Sequence, residues 1–337
     1  RRQRQMCIRD RVMMYNSNYY GVFGVTANYH EYSDVLQNII APYVYEWKQE
    51  WKEKHGTPDA PKDELGKTDI DKALIYIPIN EGTPVVGAPN TNVAWESYYK
   101  AIKAGDPDAA IAGPNSCGYN LQFVNTDFRG YIQYCADNDC MPDIITWHEL
   151  ETPQLAGMSK HMKDFKNIWA QTNWTQWIEK HGEKLEMPQI VINEYAEMKD
   201  CGVPGSLVNW IARLEDEKIY GCLPFWQQAN NLNGLTSDAN EGAGAWWVYK
   251  WYGDMSGKTL QVQTSTNYDR LYGVASIDDK KQSASVLMGG EDGTQKLLLK
   301  DIKGTEIFKN EGRVHISVQK ASYNGYAGTV SEVPTIL

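Results

Sequence analysis

The sequence predicts a (β/α)8 TIM-type barrel lacking its first two strands, followed by a C-terminal antiparallel β-sandwich. Three observations lead there. Short apolar runs alternate with amphipathic stretches six times between residues 19 and 252, the pattern of parallel strands joined by right-handed helical crossovers. Two of those runs lead straight into Asn-Glu, at Asn80-Glu81 and at Asn193-Glu194. Beyond Ser256 the runs become short and alternating, with Gly289-Gly290 and Asp292-Gly293 as turns, which suits a sandwich. A doubly wound sheet shares the first signal. Carboxylates at the ends of two different strands favour the barrel, whose functional residues gather at the strands' C-terminal ends.

Residues 1–11, RRQRQMCIRDR, use no pattern found elsewhere in the chain. They resemble a translated sequencing-library adaptor and are set aside from the fold. A basic signal-peptide start is the rival, but no apolar segment follows. Residues 12–255 are then the partial barrel, and 256–337 the sandwich. Tyr19 to His30 reads as the first strand. Ser33 can cap a helix from Asp34 to His55, interrupted at Pro42. Ala73 to Asn80 is the next strand, with an irregularity expected at Pro78. A helix carrying Tyr98, Ala101 and Ile102 stops at Gly105, where Asp106-Pro107 seals it. Asp108 to Pro114 is a strand, Asn120 to Asn138 a helix, Pro142 to His148 a strand and Met158 to His181 a long helix.

Gln189 to Glu194 (QIVINE) is an unbroken apolar run ending in a carboxylate, as expected of a strand buried on both faces. In the next helix Leu207, Trp210, Ile211 and Leu214 share one face, with Ser206 as its cap. Gly221 to Trp226 is the last barrel strand and Gly242 to Tyr252 the last helix. Leu260–Gln263, Ser283–Met288, Lys296–Leu299 and Val314–Val318 would build the sandwich. Six units are two short of eight, in keeping with a missing N-terminal part.

Composition narrows the function. A net charge of −10 over 337 residues argues against a nucleic-acid partner. No run approaches the roughly 20 apolar residues of a membrane span. Trp 12 and Tyr 21 far outnumber Phe 6; their flat faces and polar tips suit sugar stacking as well as core packing. The cysteines lack zinc-site spacing. Cys135 and Cys140 can close a small loop in an oxidising compartment; otherwise they are free, partly buried thiols. Asp238, Asn240 and Glu241 offer oxygen ligands for Ca²⁺, but exposed acidic loops usually hold only water, so neither metal nor cofactor is expected. No Gly-x-Ser-x-Gly elbow or Gly-x-Gly-x-x-Gly loop occurs, which disfavours an α/β hydrolase or a dehydrogenase.

Several segments together resemble clan A glycoside hydrolases, most nearly glycoside hydrolase family 39. They are Ile79-Asn80-Glu81, the stretch from Ala101 through Asp106-Pro107-Asp108 into Ala112-Gly113-Pro114, Trp147-His148-Glu149 and Asn193-Glu194-Tyr195, with Trp226 closing the barrel. The family usually has Pro where Gly82 stands and often Trp where Tyr195 stands, differences that bear on substrate preference. The resemblance implies a retaining enzyme cleaving β-glycosidic bonds of a poly- or oligosaccharide, secreted or periplasmic. Glu81 would be the general acid/base, kept protonated near neutral pH by burial and a neighbouring carboxylate. Glu194 would be the nucleophile. Asn80 would bind the sugar 2-hydroxyl, His148 would hold Glu194 in one rotamer, and Trp226 would form the floor on which the sugar stacks. Tyr195, Trp147 and His30 are further candidates for substrate contact. Glu149 competes for the acid role, but strand alternation turns it away from the face that His148 takes. The alternative is a non-hydrolytic carbohydrate-binding protein on the same scaffold.

Overall fold

The computed structural model describes residues 12–15, 29–55, 74–81, 89–119, 126–223, 234–236, 241–265, 270–290, 293–300, 305, 315–323 and 335–336. The chain divides into two compact units, one of Met6–Glu149 and Ser159–Glu194, the other of Leu150–Met158 and Tyr195–Leu337.

In the first unit, five strands lie side by side in chain order: β1 (Val12–Tyr15), β2 (Leu74–Ile77), β3 (Ala110–Ser116), β4 (Ile144–Glu149) and β5 (Gln189–Tyr195). The first three pairings are parallel, with Val12 opposite Leu74, Ile75 opposite Ala110 and Ala112 opposite Ile144. The helices between them are α1 (Tyr29–Val35), α2 (Ala41–His55), α3 (Pro89–Gly105), α4 (Phe128–Asn138), α5 (Thr152–Gln171) and α6 (Thr175–His181). Sequential parallel strands alternating with helices form part of a TIM-type barrel. Every residue of β3 and β4 is buried, which is why those strands read as apolar runs and not as alternating ones.

Local sequence explains most boundaries. Pro42 has no N–H for the carbonyl four residues back, and the turn before it, Leu36–Ile40, widens to a π-helix. Ser33 therefore lies inside α1, its hydroxyl donating to the Tyr29 carbonyl, and does not cap a helix start. The helix expected from Met158 to His181 is two. Asn173 accepts from both the Thr175 N–H and the Thr175 hydroxyl, a local turn that ends the run before α6 starts at Thr175. Asp127 caps α4 by accepting from Gly130 N–H at 2.8 Å. Gly113 is dictated by packing: a Cβ there would lie 2.3 Å from the Trp95 ring. Tyr29 and His30, expected at the end of a strand, begin α1 instead, and the strand before it is Val12–Tyr15. Residues 19–28 and Trp226 lie outside the described residues. Cys135 and Cys140 are both buried free thiols.

A buried ion pair ties three elements together. Lys48 of α2 meets Asp106, just past α3, at 2.7 Å, with both side chains fully buried. Tyr76 of β2 donates its hydroxyl to the same carboxylate at 3.0 Å. Asp106 thus does more than seal a helix end.

In the second unit, α7 (Pro204–Glu217) and α8 (Gly244–Asp254) flank the short strand β6 (Tyr220–Gly221) in sequence. Pro204 opens α7 at its first turn, where a missing N–H costs nothing. Ser206 is already helical. Then β7 (Lys258–Leu260), β8 (Leu271–Asp278) and β9 (Ser283–Gly290) form an antiparallel sheet with β8 in the centre. Val208, Ile211 and Ala212 of α7 and Val248 of α8 share a core with Met255, Tyr272, Val274 and Leu287. The apolar face of this sheet is covered by helices. Residues 296–299 and 315–318 form no strand, and a two-residue pairing of β10 (Gln319–Lys320) with β11 (Thr335–Ile336) follows. Among the described residues, the expected sandwich is therefore a three-stranded sheet on two helices. Its middle strand escaped notice because Gly273, Ala275 and Ser276 dilute the apolar pattern. Gly273 is small for a reason: a Cβ there would stand 2.4 Å from the Leu287 carbonyl oxygen.

Removing one member of a buried ion pair strands the other in a medium of low polarity. Lys48→Met should lower unfolding free energy by about 3–5 kcal/mol in denaturant titration; a loss below about 1 kcal/mol, the range of an exposed pair, would contradict this description of the core.

Candidate active site

The site forms where β2, β3, β4 and β5 end. Pro78 cannot donate to a ladder, and β2 stops at Ile77. The chain runs on through Ile79 and Asn80 to Glu81, which adopts a left-handed conformation with φ 57°. That costs a non-glycine residue roughly 1–2 kcal/mol. It is held there by a backbone bond, Glu81 N–H to the Asn115 carbonyl, at 2.9 Å.

Asn115 is itself left-handed, also with φ 57°. It sits at a register shift between Pro114 and Ser116, the extra residue of a bulge in β3. A bulge re-aims a side chain. Here the Asn115 side-chain amide donates to Asn80 Oδ1 at 2.8 Å and accepts from the Asn193 amide.

In β4 side chains alternate between faces. His148 is fully buried, its Nδ1 lying 3.2 Å from Glu81 Oε1 and its Nε2 3.7 Å from Glu194 Oε1. One carboxylate oxygen of Glu81, one of Glu194 and an imidazole nitrogen all fall within 4.8 Å of one another. The carboxylates keep contact with solvent, at 31% and 20% side-chain exposure, so a substrate can reach them. When Glu81 carries a proton it donates to Nδ1, and the other nitrogen then presents its N–H toward Glu194. When Glu81 is ionised it accepts from Nδ1–H. These three side chains are metal-ligating types, and one oxygen of each carboxylate and one ring nitrogen lie close enough together to address a single cation.

Trp147 and Glu149 point the other way. The Trp147 indole N–H donates to Glu149 Oε1 at 2.8 Å, and His161 Nδ1 of α5 meets the same oxygen at 2.8 Å. Trp147 has no exposed surface and packs against Tyr119, Phe128 and Phe165; a ring so enclosed offers no face to a sugar. His30 is exposed on α1 with its ring centroid 3.9 Å from that of Tyr29. Within the second unit, Tyr195 is buried and shares a hydroxyl–hydroxyl bond with Tyr249. Sequence inspection missed Asn115, although it stands directly after Gly113-Pro114 near the end of its strand, as Asn193 does in β5.

Burial raises the Glu149 carboxyl pKa, opposed by its bonds to His161 and Trp147. The folded state therefore holds that proton to higher pH than the unfolded chain. Its stabilising contribution is complete below the unfolded value and lost as pH rises through the folded one. Glu149→Gln removes this dependence. Relative to the variant, the native chain should lose thermal stability as pH rises above about 5 in a melting series. A difference in melting temperature that stays flat with pH would contradict the burial of a proton-holding Glu149.

No protein-family model matches the chain. Over 257 residues, 67% of this chain, it is 28% identical to a 3-O-beta-L-arabinopyranosyl-alpha-L-arabinofuranosidase of Bifidobacterium pseudocatenulatum. Over 214 residues it is 30% identical to a 3-O-alpha-D-galactosyl-alpha-L-arabinofuranosidase of Bifidobacterium longum subsp. longum. The chain spans 25% and 17% of those two proteins. Among solved structures, N2152 from Neocallimastix frontalis shares the fold, with TM-score 0.57 and 23% identity over 83% of this chain and 62% of that one. The chain is thus similar, across most of its length, to part of two bifidobacterial proteins named as arabinofuranosidases.

Proposed function

We propose that this chain carries the catalytic centre of a retaining glycoside hydrolase, with Glu81 as acid/base and Glu194 as nucleophile. The observation that carries the proposal is the approach of one oxygen from each carboxylate to within 4.8 Å. Retention needs the two carboxyl groups about 5–5.5 Å apart, whereas inversion leaves room for a water at about 6.5–9.5 Å. In the first step the Glu194 carboxylate attacks the anomeric carbon while Glu81 gives its proton to the departing oxygen, leaving a glycosyl ester. In the second, Glu81 takes a proton from water, the water oxygen attacks the same carbon, and the ester bond breaks to return Glu194 as carboxylate. His148 meets Glu81 at one nitrogen and faces Glu194 with the other. Asn80 serves the sugar 2-hydroxyl.

Two linkages are in view. Resemblance in sequence points to a β-glycoside. The names of the two relatives favour an α-L-arabinofuranoside carrying a further sugar at its 3-hydroxyl, and that is the substrate class proposed first. A protein that binds sugars without cleaving them is the other reading, and retention of both glutamates weighs against it.

Aryl glycosides of both classes separate these readings. Turnover should appear on one of them. Glu194→Ala should abolish it while sugar binding, followed by calorimetry, persists. Glu81→Gln should lower kcat by about 10²–10⁴-fold, less on aryl leaving groups that depart without a proton. Native turnover by Glu194→Ala would remove that residue from the mechanism.

A further inference from the structure

We propose that Asn115 is a positioning residue that sets the separation of the two carboxylates by bridging the two Asn-Glu pairs. The proposal rests on the glycosidase reading of the same site. Four features of Asn115 meet at one place. Its side chain has no exposed surface. It is the extra residue of the β3 bulge, so its side chain is turned from the strand's regular alternation. Its backbone is left-handed, a conformation that asparagine tolerates better than most residues. Its polar groups reach both arms of the site: the carbonyl takes the Glu81 N–H, the amide nitrogen donates to Asn80, and the amide oxygen accepts from Asn193.

Asn80 and Asn193 are the residues immediately before Glu81 and Glu194. Fixing each therefore fixes the backbone from which a carboxylate projects. The bridge is directional. Asparagine has one donor end and one acceptor end. Turning the Asn115 amide over would set oxygen against Asn80 Oδ1 and nitrogen against the Asn193 amide, breaking both bonds. A carboxylate in its place could accept from Asn193 but could not donate to Asn80. The same bond orients Asn80. With one lone pair of Oδ1 engaged by Asn115, its NH₂ still offers donors to a sugar hydroxyl. A chain of three amides across adjacent strand ends thus couples acid/base to nucleophile without touching the reacting atoms.

Asn115→Gly is the informative variant, since glycine accepts the left-handed backbone at no cost and keeps the carbonyl that receives Glu81. Only the amide is lost. A misplacement near 1 Å can cost about 100-fold, so kcat on an aryl glycoside should fall roughly 10–100-fold with KM within about 3-fold of native and melting temperature retained. Asn115→Asp, which keeps one of the two bridging bonds, should fall between native and Asn115→Gly. Native kcat and KM for Asn115→Gly would overturn the proposal. A crystal structure of Asn115→Gly gives a readout that needs no turnover: the nearest oxygens of Glu81 and Glu194 should part beyond 4.8 Å, and an unchanged separation would overturn the proposal equally. Should the native chain cleave no glycoside, the glycosidase reading fails, and the crystal structure alone decides the role of Asn115.

Discussion

Parallel strands can deliver their last residues only to one edge of a sheet, and along that edge this chain sets a polar side chain on each of four consecutive strands. Glu81 follows β2, Asn115 sits in the bulge of β3, His148 lies near the end of β4 and Glu194 near the end of β5. The strands themselves are apolar and buried. Polar groups placed at such an edge are costly unless they satisfy one another. They do so as two linked sets: the three amides of Asn80, Asn115 and Asn193, and the imidazole between two carboxylates. The same bonds that relieve burial restrict where each carboxylate can stand, so the demands of folding and of chemistry coincide there.

The edge is held from two directions. At its functional end, the left-handed Glu81 and the left-handed Asn115 are joined by a backbone bond, so that the conformation of one supports the other. Before β3 begins, Asp106 is anchored by Lys48 and Tyr76 in a fully buried cluster. Behind β4, Glu149 bonds Trp147 and His161, packing the outer face of the strand whose inner face presents His148. Two adjacent residues of β4, both ionisable, serve different purposes because a pleated strand turns them to opposite sides.

Part of this was legible in the letters. An apolar run stopping at Asn-Glu announces both a buried strand and the residue it presents, and alternation along Trp147-His148-Glu149 separates the histidine from the glutamate. What stayed hidden depends on departures from regular periodicity. Asn115 owes its direction to a bulge, and no local pattern in Gly-Pro-Asn-Ser announces one. The middle strand of the C-terminal sheet was masked by small residues required for close backbone approach, as at Gly273. A sandwich was expected where helices α7 and α8 cover the sheet, because strand alternation reports that a face is buried but not what buries it. Trp147, as open in the sequence to packing as to substrate contact, is core; a tryptophan's sequence neighbourhood does not reveal whether either ring face is open.

The central claim is that two glutamates, remote in sequence, converge on one anomeric carbon and that one of them bonds to it. A 2-deoxy-2-fluoro glycoside with a good leaving group, matched to the sugar the chain turns over, slows the second step and traps the covalent ester. Peptide mapping of the inactivated protein by mass spectrometry then locates the sugar. The account predicts a single label on the peptide containing Glu194, at that carboxylate; a label on Glu81 or Glu149, or turnover of the parent substrate with no covalent adduct at all, would contradict it.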